Sequence, residues 1–108
     1  MLALDAVGDP TRRKILETLF DGEKSSGEIV SRFNISAAAI SQHLKVLREA
    51  NLIQVRVEGQ RRIHSLDSTG WKEIQDWLDL AKRFWEGRLN ALERELKANQ
   101  RRKERDLK

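Results

Sequence analysis

The sequence predicts a mainly α-helical domain with a small β-hairpin past its midpoint and a long helix at its C-terminal end. Three observations carry this. Apolar side chains recur at three- and four-residue intervals over most of the chain, residues 53–66 switch to two-residue alternation, and the last third returns to one long helical pattern. The length of 108 residues suits a single core, and the 39% apolar content is enough to build it. With no cysteine, disulfides, thiol redox sensing and thiolate metal sites are excluded. The longest apolar run, Ala37-Ala38-Ala39-Ile40, is far short of the roughly 18 residues a membrane span needs. The opening Met1-Leu2-Ala3-Leu4-Asp5 lacks the basic start and apolar core of a signal peptide, so a cytoplasmic location is expected.

The first strong helix signal is Asp9-Pro10, an Asp cap followed by proline at the first helical position, where its missing N–H costs nothing. Ile15, Leu16, Leu19 and Phe20 follow at helical spacing, and Asp21-Gly22 stops the helix. Ser25-Ser26-Gly27-Glu28 reads as a capping box, opening a short helix with Ile29, Val30 and Phe33 on one side. Asn34 is expected to take the tight turn, and Ser36 to cap a third helix running to about Ala50. Two short helices joined by a tight turn make a helix-turn-helix, an arrangement many helical bundles share.

The third helix says more. At 100° per residue, Ile40, Leu44 and Leu47 cluster on one side and must face the core. Ala38, Ser41, Gln42 and Lys45 occupy the other side. That side is small and polar, and it lacks the Glu/Lys pairs usual on solvent-facing helices. Small side chains let a helix enter a major groove, where Gln and Ser can meet base edges; an ordinary polar face is the bland alternative. Next, Ile53, Val55 and Val57 alternate with Gln54, Arg56 and Glu58, Glu58-Gly59-Gln60-Arg61 makes a turn, and residues 62–66 return. Arg56, Arg61 and Arg62 flank that turn, so a basic loop directly follows the helix-turn-helix. Arginines there can reach phosphates or a narrow minor groove.

The last helix is expected to be capped near Asp67 or Ser68 and to run to about Ala98. Trp71, Ile74, Leu78, Ala81 and Trp85 form a stripe continued by Leu89, Leu92 and Leu96, and Trp77, Leu80 and Phe84 widen it. Some thirty residues at 1.5 Å each make a rod of roughly 45 Å. The preceding residues cannot cover that length, so the distal stripe is expected to meet another chain, most simply in a two-fold homodimer. Gly87 interrupts the helix composition at a cost near 1 kcal/mol. Residues 1–98 therefore read as one folded and dimerising domain, and residues 99–108 as a basic tail.

Charge is unevenly placed. Charged residues make up 35% of the chain, and Lys and Arg exceed Asp and Glu by 21 to 17. Residues 36–66 hold five basic and two acidic side chains, as do residues 99–108, while the other segments are slightly acidic. A basic excess inside folded structure suits a polyanion partner.

Taken together, Asp9-Pro10-Thr11-Arg12-Arg13-Lys14-Ile15-Leu16, Ser41-Gln42-His43-Leu44-Lys45-Val46-Leu47, Ala50-Asn51-Leu52-Ile53 and Gly59-Gln60-Arg61 resemble the ArsR family of winged helix-turn-helix repressors, over about residues 3–66. The resemblance implies a homodimer built on the first and last helices, a recognition helix at 36–49, a wing at about 53–66, and repression by binding double-stranded DNA at an inverted repeat, often at the protein's own promoter. The DNA-binding residues it implies, with those read from the helix and hairpin, are Ser36, Ala37, Ala38, Ser41, Gln42, His43, Lys45, Arg56, Gln60, Arg61 and Arg62. The dimer residues are Leu2, Leu4, Trp71, Ile74, Leu78, Ala81, Trp85, Leu89, Leu92 and Leu96.

Metal-sensing members carry a cysteine pair or a last-helix His and carboxylate set. Here the corresponding box is Ser25-Ser26-Gly27-Glu28, and the only histidines are His43 and His64, so no metal and no cofactor is expected. The chain resembles the metal-independent branch. Enzyme chemistry is not expected: there is no Cys or Tyr, no phosphate-cradling glycine loop, and no nucleophile-and-orienter constellation around either histidine. Two other classes fit parts of the pattern: an interaction module using the C-terminal stripe, and a sequence-independent nucleic-acid packaging protein.

Overall fold

The computed structural model describes residues 2–107 as α1 (Leu2–Val7), α2 (Pro10–Phe20), β1 (Lys24–Ser25), α3 (Ser26–Ser31), α4 (Ala37–Glu49), β2 (Ile53–Glu58), β3 (Arg61–Leu66) and α5 (Ser68–Asp106). It divides into two compact units, Met1–Gln75 and Asp76–Lys108. No helix among the described residues is long and apolar enough to cross a membrane.

The caps form as the residue types require. Asp9 accepts from the Arg12 amide at 2.9 Å with Pro10 in the first turn. Ser25 Oγ accepts from the Glu28 amide while the Glu28 carboxylate accepts from the Ser25 amide, closing both ends of the capping box. The Asp67 carboxylate accepts from the Thr69 amide at the start of α5. Arg12 ties α1 down by donating through Nε to the Ala6 carbonyl at 2.7 Å, at a helix end whose last carbonyls lack partners of their own.

The first unit has one core. Ala3 and Ala6 of α1, Ile15, Leu16 and Leu19 of α2, Ile29 of α3, Ile40, Leu44 and Leu47 of α4, and Leu52 and Ile53 are all buried together. Three antiparallel strands in the order β1-β3-β2 flank it. Glu58 pairs with Arg61, leaving Gly59-Gln60 as a two-residue turn. Gly59 has φ +61 and Gln60 stays out of the positive region, the pattern of a II′ hairpin turn that matches strand twist. The start of α5 belongs to this core. Trp71 and Ile74 pack against it, the Trp71 indole N–H donates to the Leu52 carbonyl at 3.2 Å, and the Trp71 ring lies 6.0 Å from that of Phe20.

A tight corner makes that docking possible. Asn51 takes a left-handed conformation at φ 59, and the Gly70 amide donates to its carbonyl at 2.8 Å. A Cβ on Gly70 would stand 2.6 Å from the carbonyl oxygens of both Ala50 and Asn51. Only glycine fits.

The structure departs from the sequence reading in three places. The hairpin gains a third strand, β1, paired through Lys24↔His64 and Ser25↔Ile63. A helix covers Leu2–Val7, too short to announce itself by periodicity. Asn34 lies in the turn between α3 and α4, as expected, while the left-handed asparagine is Asn51. The last helix continues past Ala98 to Asp106, because the intervening Gln, Arg, Lys and Glu are good helix formers and the late Lys103 and Arg105 suit the negative end of the helix dipole. It also runs through Gly87 without interruption.

In the second unit most of the apolar side of α5 is exposed. Trp77, Leu78, Leu80, Phe84, Trp85, Leu89, Leu92 and Leu96 are all exposed, Leu89 by 57%. Phe84 and Trp85 meet edge to face at 5.4 Å, and the Arg88 guanidinium sits 4.3 Å above the Phe84 ring.

Candidate nucleic-acid interface

Helix α4 begins where Ser36 Oγ accepts from the Ala39 amide at 3.1 Å. Burying Ile40, Leu44 and Leu47 fixes its rotation, and that rotation decides what faces outward. Ser36, Ala37, Ala38, Ser41, Gln42 and Lys45 are exposed, and His43 is half-buried at the edge of the core side. Neither Ser41, Gln42 nor Lys45 takes part in an ion pair among the described residues. The face is shallow, polar and unengaged.

The hairpin presents Arg56, Gln60, Arg61 and Arg62, all exposed. Two of its arginines are already held. Arg56 forms a two-pronged pair with Glu23, Nη2 donating to Oε1 at 2.7 Å, and a longer contact of 3.4 Å with Glu58. Arg61 Nη2 donates to Glu28 Oε1 at 3.3 Å. The Arg56 hydrogen bond holds the Glu23 carboxyl below its ordinary pKa. The Ser25 amide and hydroxyl, with a smaller Coulombic share from Arg61, do the same for Glu28. These carboxylates were not legible as wing partners: each lies 33 positions from its arginine. The one available hint was the acidic Glu23 just before Lys24 and the capping box.

The other residue missed by sequence reasoning is the place of His64. It is 1% exposed, its Nε2 shares a 2.8 Å hydrogen bond with Ser26 Oγ, and its Nδ1 is buried without a partner among the described residues. Burial first, then the nearby Arg48 and Arg62 guanidiniums, push its pKa below the ordinary imidazole value. The dimer residues fall into two groups. Trp71 and Ile74 are packed on their own core, and Leu4 and Ala81 are half-buried, whereas Leu2, Leu78, Trp85, Leu89, Leu92 and Leu96 are exposed.

A helix-turn-helix whose second helix shows an open polar face, followed at once by a basic antiparallel hairpin, defines a winged helix-turn-helix DNA-binding protein. A family model described as "Bacterial regulatory protein, arsR family" matches residues 9–55, which run from the Asp9 cap to the first wing strand. The chain is 41% identical over 73 residues to the transcriptional repressor SdpR of Bacillus subtilis, covering 68% of this chain and 81% of that one. It is 36% identical over 85 residues to the transcriptional activator HlyU of Vibrio cholerae, covering 79% and 76%. Among solved structures, a possible transcriptional regulator for arsenical resistance superposes with a TM-score of 0.71 at 34% identity, over 76% of this chain and 85% of that one. The chain belongs to the ArsR family of bacterial transcriptional regulators, and it is a DNA-binding regulator, not an enzyme.

Proposed function

We propose that the protein is a cytoplasmic, homodimeric repressor that binds an inverted-repeat operator without a metal cofactor. One observation carries the reading: core packing of Ile40, Leu44 and Leu47 turns Ser41, Gln42 and Lys45 outward beside a hairpin bearing Arg56, Arg61 and Arg62. Side chains of the α4 kind read base edges, and arginines of the wing kind meet phosphates or the minor groove. The 1–98 and 99–108 division becomes, in this reading, a DNA-binding and dimerising body that ends in a basic helical extension.

Self-association is supported by the exposed stripe on α5. It is supported also by an apolar hollow of about 220 Å³ in the first unit, lined by Val7, Leu16, Phe20, Trp71 and Ile74. Two copies about a two-fold axis would set their α4 helices about 34 Å apart, matching successive major grooves. Repression is the role of the relative SdpR; the activator HlyU makes the sign of regulation a matter for reporter assay. Metal independence is supported by the absence of cysteine from all 108 residues. Micromolar zinc, cadmium or arsenite should leave operator affinity unchanged, and a loss of tenfold or more would overturn this part.

The central test compares two substitutions on operator and random duplexes. Gln42→Ala should cost about 1–3 kcal/mol on the operator and little on random DNA. Arg61→Ala should weaken both and reduce the salt slope by about one unit. Equal affinity of the wild-type protein for operator and scrambled DNA would point to packaging, and binding to neither would point to a protein-interaction module. If Gln42→Ala leaves discrimination intact while Arg61→Ala destroys it, the wing is the reader.

A further inference from the structure

Alongside the outward face of α4 lies a cavity of about 160 Å³ that shares Ala37, Ser41 and Arg62 with the proposed DNA-binding surface. It is bounded by α3, α4 and β3, all within the first unit. Val30, Ile40 and Leu44 give it an apolar lining, and Arg48, Arg62 and His64 give it a polar one. No carboxylate lines it. Two guanidiniums facing a partly apolar hollow without a counter-charge are an unusual combination. Arg56 and Arg61 have carboxylate partners, yet no ion pair involves Arg48 or Arg62 among the described residues. His64, whose ring borders the same space, has a buried Nδ1 still lacking a partner. Buried polar atoms in that state are few in folded proteins and call for an explanation.

We propose that this cavity binds a small amphiphilic monoanion, a short aliphatic carboxylate. The carboxylate pairs with Arg48 and Arg62, groups whose planar forks match a carboxylate's two oxygens. Its short hydrocarbon end lies against Val30, Ile40 and Leu44. Size limits the class. A cavity of about 160 Å³ suits a compact acid of a few carbons. The hydrogen bond between Ser26 and His64 Nε2 leaves Nδ1 to serve an acceptor that enters beside the ring. Ser41 and Ala37 also line the cavity, so an occupant lies against the edge of the proposed reading face itself.

The test uses the full-length protein free of DNA, so its outcome stands apart from the DNA-binding reading. Isobutyrate is the probe, with isobutyramide as the uncharged isostere and inorganic phosphate as the anion without a hydrocarbon end. The readouts are the His64 ring signals in nitrogen–proton correlation spectra and the heat of binding. The expected result is a saturable isobutyrate shift at His64, with at least about tenfold weaker binding in Arg62→Gln, whose exposed side chain leaves folding intact, and in Arg48→Gln. Isobutyramide should bind at least tenfold less tightly than isobutyrate. The proposal is overturned if isobutyrate gives no saturable shift, if the amide binds equally, or if both arginine variants bind like wild type. It is overturned as well if phosphate binds as tightly as isobutyrate, for the cavity is then a seat for a bare oxyanion such as a DNA phosphate.

Discussion

The two units of this molecule treat their apolar side chains in opposite ways. In the first, Ile15, Ile29, Ile40, Leu47 and Leu52 are almost wholly buried among themselves, and the caps at Asp9, Ser25 and Ser36 satisfy the helix ends around them. In the second, Trp77, Phe84, Trp85, Leu89, Leu92 and Leu96 lie along one helix with half or nearly half of their surface in water. An isolated helix gains little from its own hydrogen bonds, and most helical stability in proteins comes from packing an apolar face. The first unit therefore carries its own reason to fold. The second calls for something else to cover it, and Trp71 and Ile74 mark where along α5 the change occurs.

Changing each side of that boundary separately should separate assembly from folding. The largest effect is expected from Leu89→Asp with Leu92→Asp. In a two-fold pair this removes four leucines from the seam, each worth roughly 1.5–3 kcal/mol when buried, so self-association should weaken by a factor on the order of a thousand or more. Sedimentation should then show monomers, with operator binding lost, while slow amide exchange at Ile15, Ile40 and Leu47 persists. A double variant that still sediments as a dimer would place the seam elsewhere.

Gly70→Ala should do the reverse. Its new Cβ meets two backbone carbonyl oxygens at 2.6 Å, and backbone cannot swing aside as a side-chain tip can. Overpacking of this kind costs typically 1–3 kcal/mol, against about 1 kcal/mol gained from alanine's better helix propensity. Melting temperature should fall by several degrees with dimer mass unchanged. An unchanged or raised melting temperature would show that the corner at Asn51 relaxes freely.

The smallest expected effect concerns acid, and it too belongs to the first unit. Because burial and two guanidiniums depress the pKa of His64 in the folded state, the unfolded chain takes up a proton at about pH 6.5 that the folded one refuses. The stability this lends is present above that pH and is lost as pH falls towards the folded value. Urea midpoints should drop between pH 7.5 and 5.5, and His64→Gln should flatten that drop. A slope identical in the variant would remove His64 from the account. Glu23 and Glu28 act below this window, since their depressed pKa values make their contribution present above the ordinary carboxylate range and lost on deeper acidification.

What was legible in the sequence was mostly local or periodic. A capping box relates a hydroxyl to an amide three positions on, so Ser25 and Glu28 announce it without help from the rest of the fold. The same holds for Asp9-Pro10, and for α4, whose three buried residues give its rotation directly. The hairpin was legible because six alternating residues and a Gly at the turn agree. What was not legible depends on distant partners. Lys24-Ser25 is a strand only because β3 lies alongside, and two residues carry no period. Asn34 and Asn51 look alike in composition; docking of Gly70 on the Asn51 carbonyl accompanies the left-handed turn at one of them. Trp71 belongs to the apolar stripe by spacing, yet its indole reaches Leu52, a pairing no spacing rule contains. Of the candidate interface, the groove face of α4 and the basic hairpin could be read in advance. The carboxylates that hold the hairpin's arginines could not.

Those carboxylates bear on how such a protein finds its site. A regulator must visit and leave an enormous number of wrong sequences, and time spent on each is set by charge attracted to the backbone. With Arg56 on Glu23 and Arg61 on Glu28, much of the hairpin's charge is cancelled until phosphates compete the acids away. Glu28 loses little by the exchange, because its Oε1 remains engaged with the Ser25 amide at the head of α3. Random and operator DNA alike would meet a partly neutral wing and have to displace these acids before the arginines contact phosphate. In the proposed DNA-binding reading the exchange trims the net gain from each wing contact on every sequence alike, which leaves discrimination to the α4 face.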